Sequence, residues 1–167
     1  MQGKYRRHLL KSKQAKLILN ELSEKLKVEM KTLVGSKPTV EILEEETSKI
    51  YLVNGEPFFF KIGDRILPTL LFRDLISQTP KIVVDMGAVP YVCNGADIMA
   101  PGIVRIEGEF SKGDLVLIAD EKHDKPLALG ESFYDSQTTR KIKQGAVAKN
   151  LHFVSDKIWN LAKILTE

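Results

Sequence analysis

Asn54-Gly55 lies between two runs of strand-forming residues, Lys49–Val53 and Phe58–Ile62. A two-residue turn whose twist matches paired strands needs positive φ at both positions, which asparagine and glycine tolerate. The chain must reverse here as an antiparallel hairpin. Thr39–Leu43 reads as a further strand of the same sheet, so a curled antiparallel sheet is expected in this region. Ahead of it the period changes. Ala15, Ile18, Leu19, Leu22 and Leu26 recur at helical spacing, with Ser12 placed to cap the helix and Gly35–Pro38 placed to end it or its extension. Helix and sheet together make an N-terminal α/β domain.

After Pro68 a short helix-like stretch, Thr69–Ile76, runs into the punctuation Ser77-Gln78-Thr79-Pro80. A domain boundary is expected near Thr79, dividing the chain into residues 1–79 and 80–167. The second half is mostly short strands and turns: Ile82–Val84, Gly102–Glu107, Asp114–Ala119 and Leu127–Ser132, with turns at Gly113-Asp114 and His123–Pro126. Strands so spaced suggest a small barrel. Ser155–Leu165 returns to helical spacing through Ile158, Trp159, Ala162 and Leu165, which places Trp159 on a packed stripe. The fold class is α+β.

Several function classes find no support. The apolar runs fall far short of the ~20 residues of a membrane span, and the basic N-terminus lacks the apolar core of a signal peptide. A cytoplasmic protein without membrane contact is expected. His8, His123 and His152 are far apart in sequence and fit no metal-ligand spacing, and no Gly-x-Ser-x-Gly occurs. Cys93, the single cysteine, reads as a small buried residue, and Glu44-Glu45-Glu46 as a solvated turn between strands. No catalytic residue, metal or cofactor is expected. Charge is more informative. Between Met1 and Lys37 ten basic residues, among them Lys4, Arg6, Arg7, Lys11 and Lys13, stand against three acids, which makes this segment a candidate surface for a polyanion. Lysines on a solvated helix face are the bland reading of the same residues.

The stretch NGADIMAPG, Asn94–Gly102, reads as a tight loop with a helical turn inside it. Its glycines match neither nucleotide-binding fingerprint. The longer run Val83–Ile103 resembles the start of a PUA domain, in which an acid-x-Gly-Ala turn (Asp85–Ala88) precedes G-A-[DN]-[IV]-M-x-P-G-[IV] (Gly95–Ile103). Leu127–Gly130 is similar to that family's late strand, and Gly145–Ala148 with His152-Phe153 and Asp156–Trp159 to its closing segment. The ending resembles the malignant T-cell amplified sequence family and its archaeal relatives, which join an N-terminal pre-PUA domain, like Arg7–Thr79 here, to the PUA domain.

The resemblance implies a PUA β-pseudobarrel after the α/β domain and a non-enzymatic RNA-binding protein acting in translation. Its implied partners are the small ribosomal subunit with its ribosomal RNA, and tRNA, in initiation, reinitiation or tRNA release and recycling. In eukaryotic relatives a protein partner carrying an initiation-factor-one-like domain joins them. The RNA-facing loop would comprise Gly95, Ala96, Asp97, Met99, Pro101 and Gly102, with Tyr91, Arg105, Phe133 and Tyr134 as further contacts. Ile98 and Met99 fit a base surface or the barrel core equally, and Asp97 fits a helix cap. A bulky residue at Gly95 is expected to weaken RNA binding while the barrel stays folded. Two rival readings remain: an RNA-modification accessory binding tRNA or guide RNA, and a protein-interaction module without RNA binding.

Overall fold

The computed structural model describes residues 5–167, so Lys4 lies outside the described residues. The chain forms two compact units, one running to Leu75 and taking in Leu161–Glu167, the other spanning Ile76–Asn160.

In the first unit β1 (Arg6–Leu9) leads into α1 (Ser12–Leu26) and the short α2 (Met30–Val34). There follow β2 (Val40–Glu45), β3 (Ser48–Val53), β4 (Glu56–Ile62), β5 (Arg65–Pro68) and α3 (Arg73–Ile76). The strands form one antiparallel sheet in chain order. Asn54 and Gly55 both take positive φ, as the hairpin turn demands. Ala15, Leu19 and Leu22 of α1 pack with Val40, Ile42, Tyr51 and Phe59 from one face of the sheet. The pattern also explains three corrections. Lys11, not Ser12, occupies the cap position, and Ser12 is the first helical residue. Glu44 and Glu45 belong to β2, because Glu44 faces Lys49 across the ladder and pairs with it at 3.1 Å, so only Glu46-Thr47 turns. The helical turn after Pro68 is confined to Arg73–Ile76, since the Thr69 hydroxyl donates to Pro57 O and accepts from Leu71 N instead.

The second unit contains β6 (Lys81–Val84), α4 (Val89–Val92), β7 (Ile98–Met99), β8 (Ile103–Glu107), β9 (Leu115–Asp120) and β10 (Pro126–Ser132). It continues through α5 (Ser136–Lys141) and β11 (Ala146–Phe153) to α6 (Lys157–Leu165). Its sheet runs β7-β11-β10-β9-β6-β8. The two edge strands, β7 and β8, are separated in sequence only by the 3-10 turn Ala100–Gly102. One short turn therefore holds both edges of the sheet, which curls into a half-barrel. Ala100 N donates to Gly145 O at 2.8 Å and Asp85 N to Gly102 O at 2.9 Å, tying the turn to both sides. Ile82, Val84, Ile98, Val116, Ile118 and Val147 fill the interior.

α6 begins where the sequence pattern resumes, two residues later than Ser155, because Asp156 caps it. Asp156 Oδ1 accepts from Trp159 N at 2.7 Å, and Oδ2 from Phe153 N at 2.9 Å. The buried His152 places Nδ1 2.7 Å from the same Oδ2. Burial would raise the Asp156 carboxyl, but the contact with His152 and the two backbone amides outweigh it and hold the group below its ordinary range. Trp159 is half-buried. Among the described residues no helix is long and apolar enough to cross a membrane.

Candidate nucleic-acid interface

The acid-x-Gly-Ala turn fixes the entry to the site. Asp85 Oδ1 accepts from Ala88 N at 2.9 Å, and a Cβ on Gly87 would come within 3.3 Å of that oxygen. The turn launches α4, whose Pro90 supplies a fixed φ where no helical donor is needed. On leaving α4 the chain is held from β11 by Asn150, whose Nδ2 donates to Val92 O (2.9 Å) and Ala96 O (3.0 Å). The backbone N of Asn150 donates to Asp97 Oδ1 at 3.1 Å. Both acids of the loop are thus acceptors for backbone amides. Asp97 caps no helical turn, since the turn at Ala100 starts from Met99 without a side-chain cap. Gly102 is closely packed, because a Cβ there would lie 3.1 Å from Ala88 Cβ.

Between these segments lies a cavity of about 340 Å³, lined by Asp85, Gly87, Ala88, Tyr91, Ala96, Asp97, Met99, Pro101 and Gly102 over an apolar floor of Val84, Val92 and Ile98. This is near the lower end of the ~300–1,000 Å³ of small-molecule pockets, room for one planar ring with its substituents. Tyr91 is 71% exposed and Met99 49%, whereas Ile98 is 1% exposed. The pair left open by sequence is therefore split: Ile98 is core and Met99 is surface. An open aromatic beside an apolar slot rimmed by backbone is suited to stacking and enclosing an unpaired base.

The structure gathers Tyr91, Ala96, Asp97, Met99, Pro101 and Gly102 around this cavity and leaves Arg105, Phe133 and Tyr134 out of its lining. Arg105 is engaged by Glu107 at 2.9 Å, and Phe133 is half-buried beyond β10. Gly95 acts from behind: its φ is +93°, and a Cβ would meet the Phe153 ring at 3.1 Å. A bulky residue at Gly95 thus strains the barrel itself, contrary to the expectation of an unfolding-neutral loss of binding. Asn150, Lys143 and Lys149 went unnoticed in the sequence. Lys149 adjoins the anchoring asparagine, and Lys143 lies two residues before the carbonyl that receives Ala100 N. Their signal is pairing across the ladder, Ala146 with Met99 and Ala148 with Ile98, which no local motif reveals.

The basic residues of the other unit are less free than their count suggests. Arg7 makes a two-pronged contact with Glu41, at 2.6 and 3.1 Å, and Arg6 stands opposite Glu44 in the ladder. The bond to Glu41 raises the guanidinium pKa and Arg7 lowers that of Glu41. Lys11 and Lys13 remain exposed around the start of α1. Among the described residues no cluster of metal-ligating side chains forms. Burial pushes the half-buried Cys93 thiol up, the reverse of the activation that a nucleophile requires.

Residues 80–154 match the PUA domain, and residues 6–73 match a domain of unknown function, DUF1947. The class is that of PUA-domain proteins, whose barrel is an RNA-binding module. An uncharacterised protein of Methanocaldococcus jannaschii, MJ1432, is 37% identical over 93% of this chain and 96% of its own. Translation machinery-associated protein 20 of Saccharomyces cerevisiae is 29% identical over 78% of this chain and 76% of its own. The crystal structure of a hypothetical protein from Pyrococcus horikoshii superposes with a TM-score of 0.78 at 33% identity, covering 94% of this chain and 99% of that one. The chain belongs to the malignant T-cell amplified sequence family of PUA-domain proteins, with an N-terminal pre-PUA domain.

Proposed function

We infer that the protein is a non-enzymatic, cytoplasmic RNA-binding factor of translation that docks on the small ribosomal subunit and holds an unpaired end of tRNA at the barrel cavity. The observation that carries this reading is the cavity itself, an apolar slot of about 340 Å³ beneath an exposed tyrosine, with Lys143 and Lys149 on neighbouring backbone. Stacking and enclosure recognise a base, and lysines carried on the adjoining strand and loop suit phosphates. The relationship to a protein named for the translation machinery points to the ribosome as the setting. The exposed lysines of α1 suit ribosomal RNA, where phosphate contacts give affinity with little sequence information. In this role the protein positions tRNA for initiation, reinitiation or release, alone or with a partner carrying an initiation-factor-one-like domain.

The test is binding of the full chain to small subunits and to deacylated tRNA, with and without its CCA end, across salt concentrations. Subunit binding with a CCA-dependent gain is expected, with a log–log salt slope of roughly −2 to −3 for three or four single-strand phosphates. Equal affinity for intact and trimmed tRNA would remove the cavity from the site.

A further inference from the structure

The slot at the barrel seam is walled by exposed apolar groups, Tyr91, Ala96, Met99 and Pro101, but its polar side chains are of one kind. Besides the Tyr91 hydroxyl they are the carboxylates of Asp85 and Asp97, and no basic side chain lines it. Asp85 Oδ1 accepts from Ala88 N and Asp97 Oδ1 from Asn150 N, which leaves Oδ2 of each without a partner among the described residues. Neither acid has an ion-pair partner among those residues. A third carboxylate stands behind the turn, where Glu121 Oε1 accepts from Met86 N at 3.4 Å. Lys143 and Lys149 lie on β11 and the segment before it, outside the lining.

An ionised carboxylate only accepts hydrogen bonds. It favours hydroxyl and amino donors through short charge-assisted bonds and repels phosphate. A nucleotide inside a strand brings a phosphate on each side of its ribose. The last nucleoside of a 3′ end brings one, on its 5′ side, and two ribose hydroxyls that can donate. A slot of about 340 Å³ with two acids and no cation in its wall therefore suits the second and penalises a further phosphate.

We propose that the slot admits RNA ends whose last ribose carries free hydroxyls and turns away ends that carry a 3′-phosphate, with Asp85 and Asp97 as the specificity-determining groups. This selectivity rests on the reading of the slot as a base site and adds which chemical form of the end is accepted. Its sign is opposite to that of general attraction. The chain carries a formal net charge of +3 at pH 7, so a surface that held RNA through net charge alone would bind the more anionic end at least as tightly.

The probes are two acceptor-stem minihelices of one sequence with an unpaired CCA end, one finishing in a 3′-hydroxyl and the other in a 3′-phosphate, titrated against the full chain by fluorescence anisotropy. The hydroxyl end is expected to bind about fivefold tighter at low salt, the scale of interactions between partly exposed charges. Added salt should shrink that preference. Asp85→Asn/Asp97→Asn keeps a carbonyl oxygen for each of the two backbone amides and removes both charges, so it should melt close to the parent and bind the two ends alike. The ratio of the two affinities is the readout, because removing negative charge strengthens binding of any RNA. If the double variant melts early, Asp97→Asn alone, at an exposed position, should still reduce the ratio. Equal binding of both ends by the parent, tighter binding of the phosphate end, or an unchanged ratio in the folded variants would each overturn the proposal. Equal binding that falls for both ends in Tyr91→Ala would leave the slot a base site and remove only its selectivity. If Tyr91→Ala alters neither end, the base-site reading fails and the selectivity with it.

Discussion

At the barrel seam Asp85 and Asp97 each give one carboxylate oxygen to a backbone amide, and both line the cavity together with Tyr91, Met99 and Pro101. In the N-terminal unit Glu41 gives its carboxylate to the Arg7 guanidinium, so the strand bearing Arg6 and Arg7 offers less free charge than its composition. The same side-chain type keeps its charge beside a neutral amide in one region and cancels a cation in the other. What separates them is the nearest donor: a backbone amide, or a guanidinium. Free charge is a property of neighbours in space, and composition along the chain does not measure it.

The contrast can be broken at its strongest point, the Asn150 anchor. Replacing Asn150 by Asp sets an anion against the carbonyls of Val92 and Ala96, which now receive its amide. A loss of about 3 kcal/mol in chemical denaturation is expected, larger than for Asn150→Ala, which takes the side-chain donor from Ala96 O and leaves Val92 O with Gly95 N. Equal losses would show that the amide does not position the loop. Gly95→Leu follows, at about 2 kcal/mol, because it combines positive φ with overpacking against Phe153. If its melting is unchanged while RNA affinity falls, the glycine serves the ligand and not the barrel.

Tyr91→Ala probes the seam from the solvent side. With the ring 71% exposed, stability should change little, while tRNA affinity falls about tenfold, the worth of one stacked base. An unchanged affinity would take Tyr91 out of the interface. A weaker effect is read in acid. Asp156 has its folded pKa depressed, so its stabilisation is present above the unfolded value of about 3.9 and is lost as pH falls through the folded value. Asp156→Asn keeps the helix cap and removes the charge, and its melting temperature is expected to be flatter below about pH 4 than that of the parent. Parallel curves would mean that the contact with His152 does not depress the carboxyl.

How much of this was legible depended on the range of the interaction. The Asn54-Gly55 hairpin, the amphipathic α1 and the seam motif are local, because the residues that enforce each geometry lie within a few positions of it. The family resemblance pointed to the loop for that reason. The edge strand β1 was not legible, since Arg6–Leu9 is exposed along its length and lacks any alternation of polar and apolar residues. Its pairing with β2 comes from partners more than thirty residues away. Asn150 was silent for the same reason, and so was β11, whose register sets Ala146 beside Met99 and Ala148 beside Ile98. Reading Ser12 as a cap failed because the preference for serine at that position is statistical, and here the backbone leaves its extended course one residue earlier, at Lys11.

The smallest effect sharpens the comparison most. If the Arg7–Glu41 pair is already neutral toward RNA, Arg7→Ala removes a cation and uncovers an anion together. The pair sits on an exposed strand, so its loss should cost no more than about 1 kcal/mol of stability. For subunit binding the two alternatives are distinct. A free arginine on a phosphate would reduce the magnitude of the salt slope by about one on its removal. A paired arginine that contacts no phosphate leaves the slope as it was, while the exposed Glu41 weakens binding slightly at low salt. The double variant Arg7→Ala/Glu41→Ala should then restore the parent affinity at every salt concentration. Failure of that restoration, with a reduced slope in both variants, would show that Arg7 leaves Glu41 for a phosphate, and that the strand contributes free charge to the interface after all.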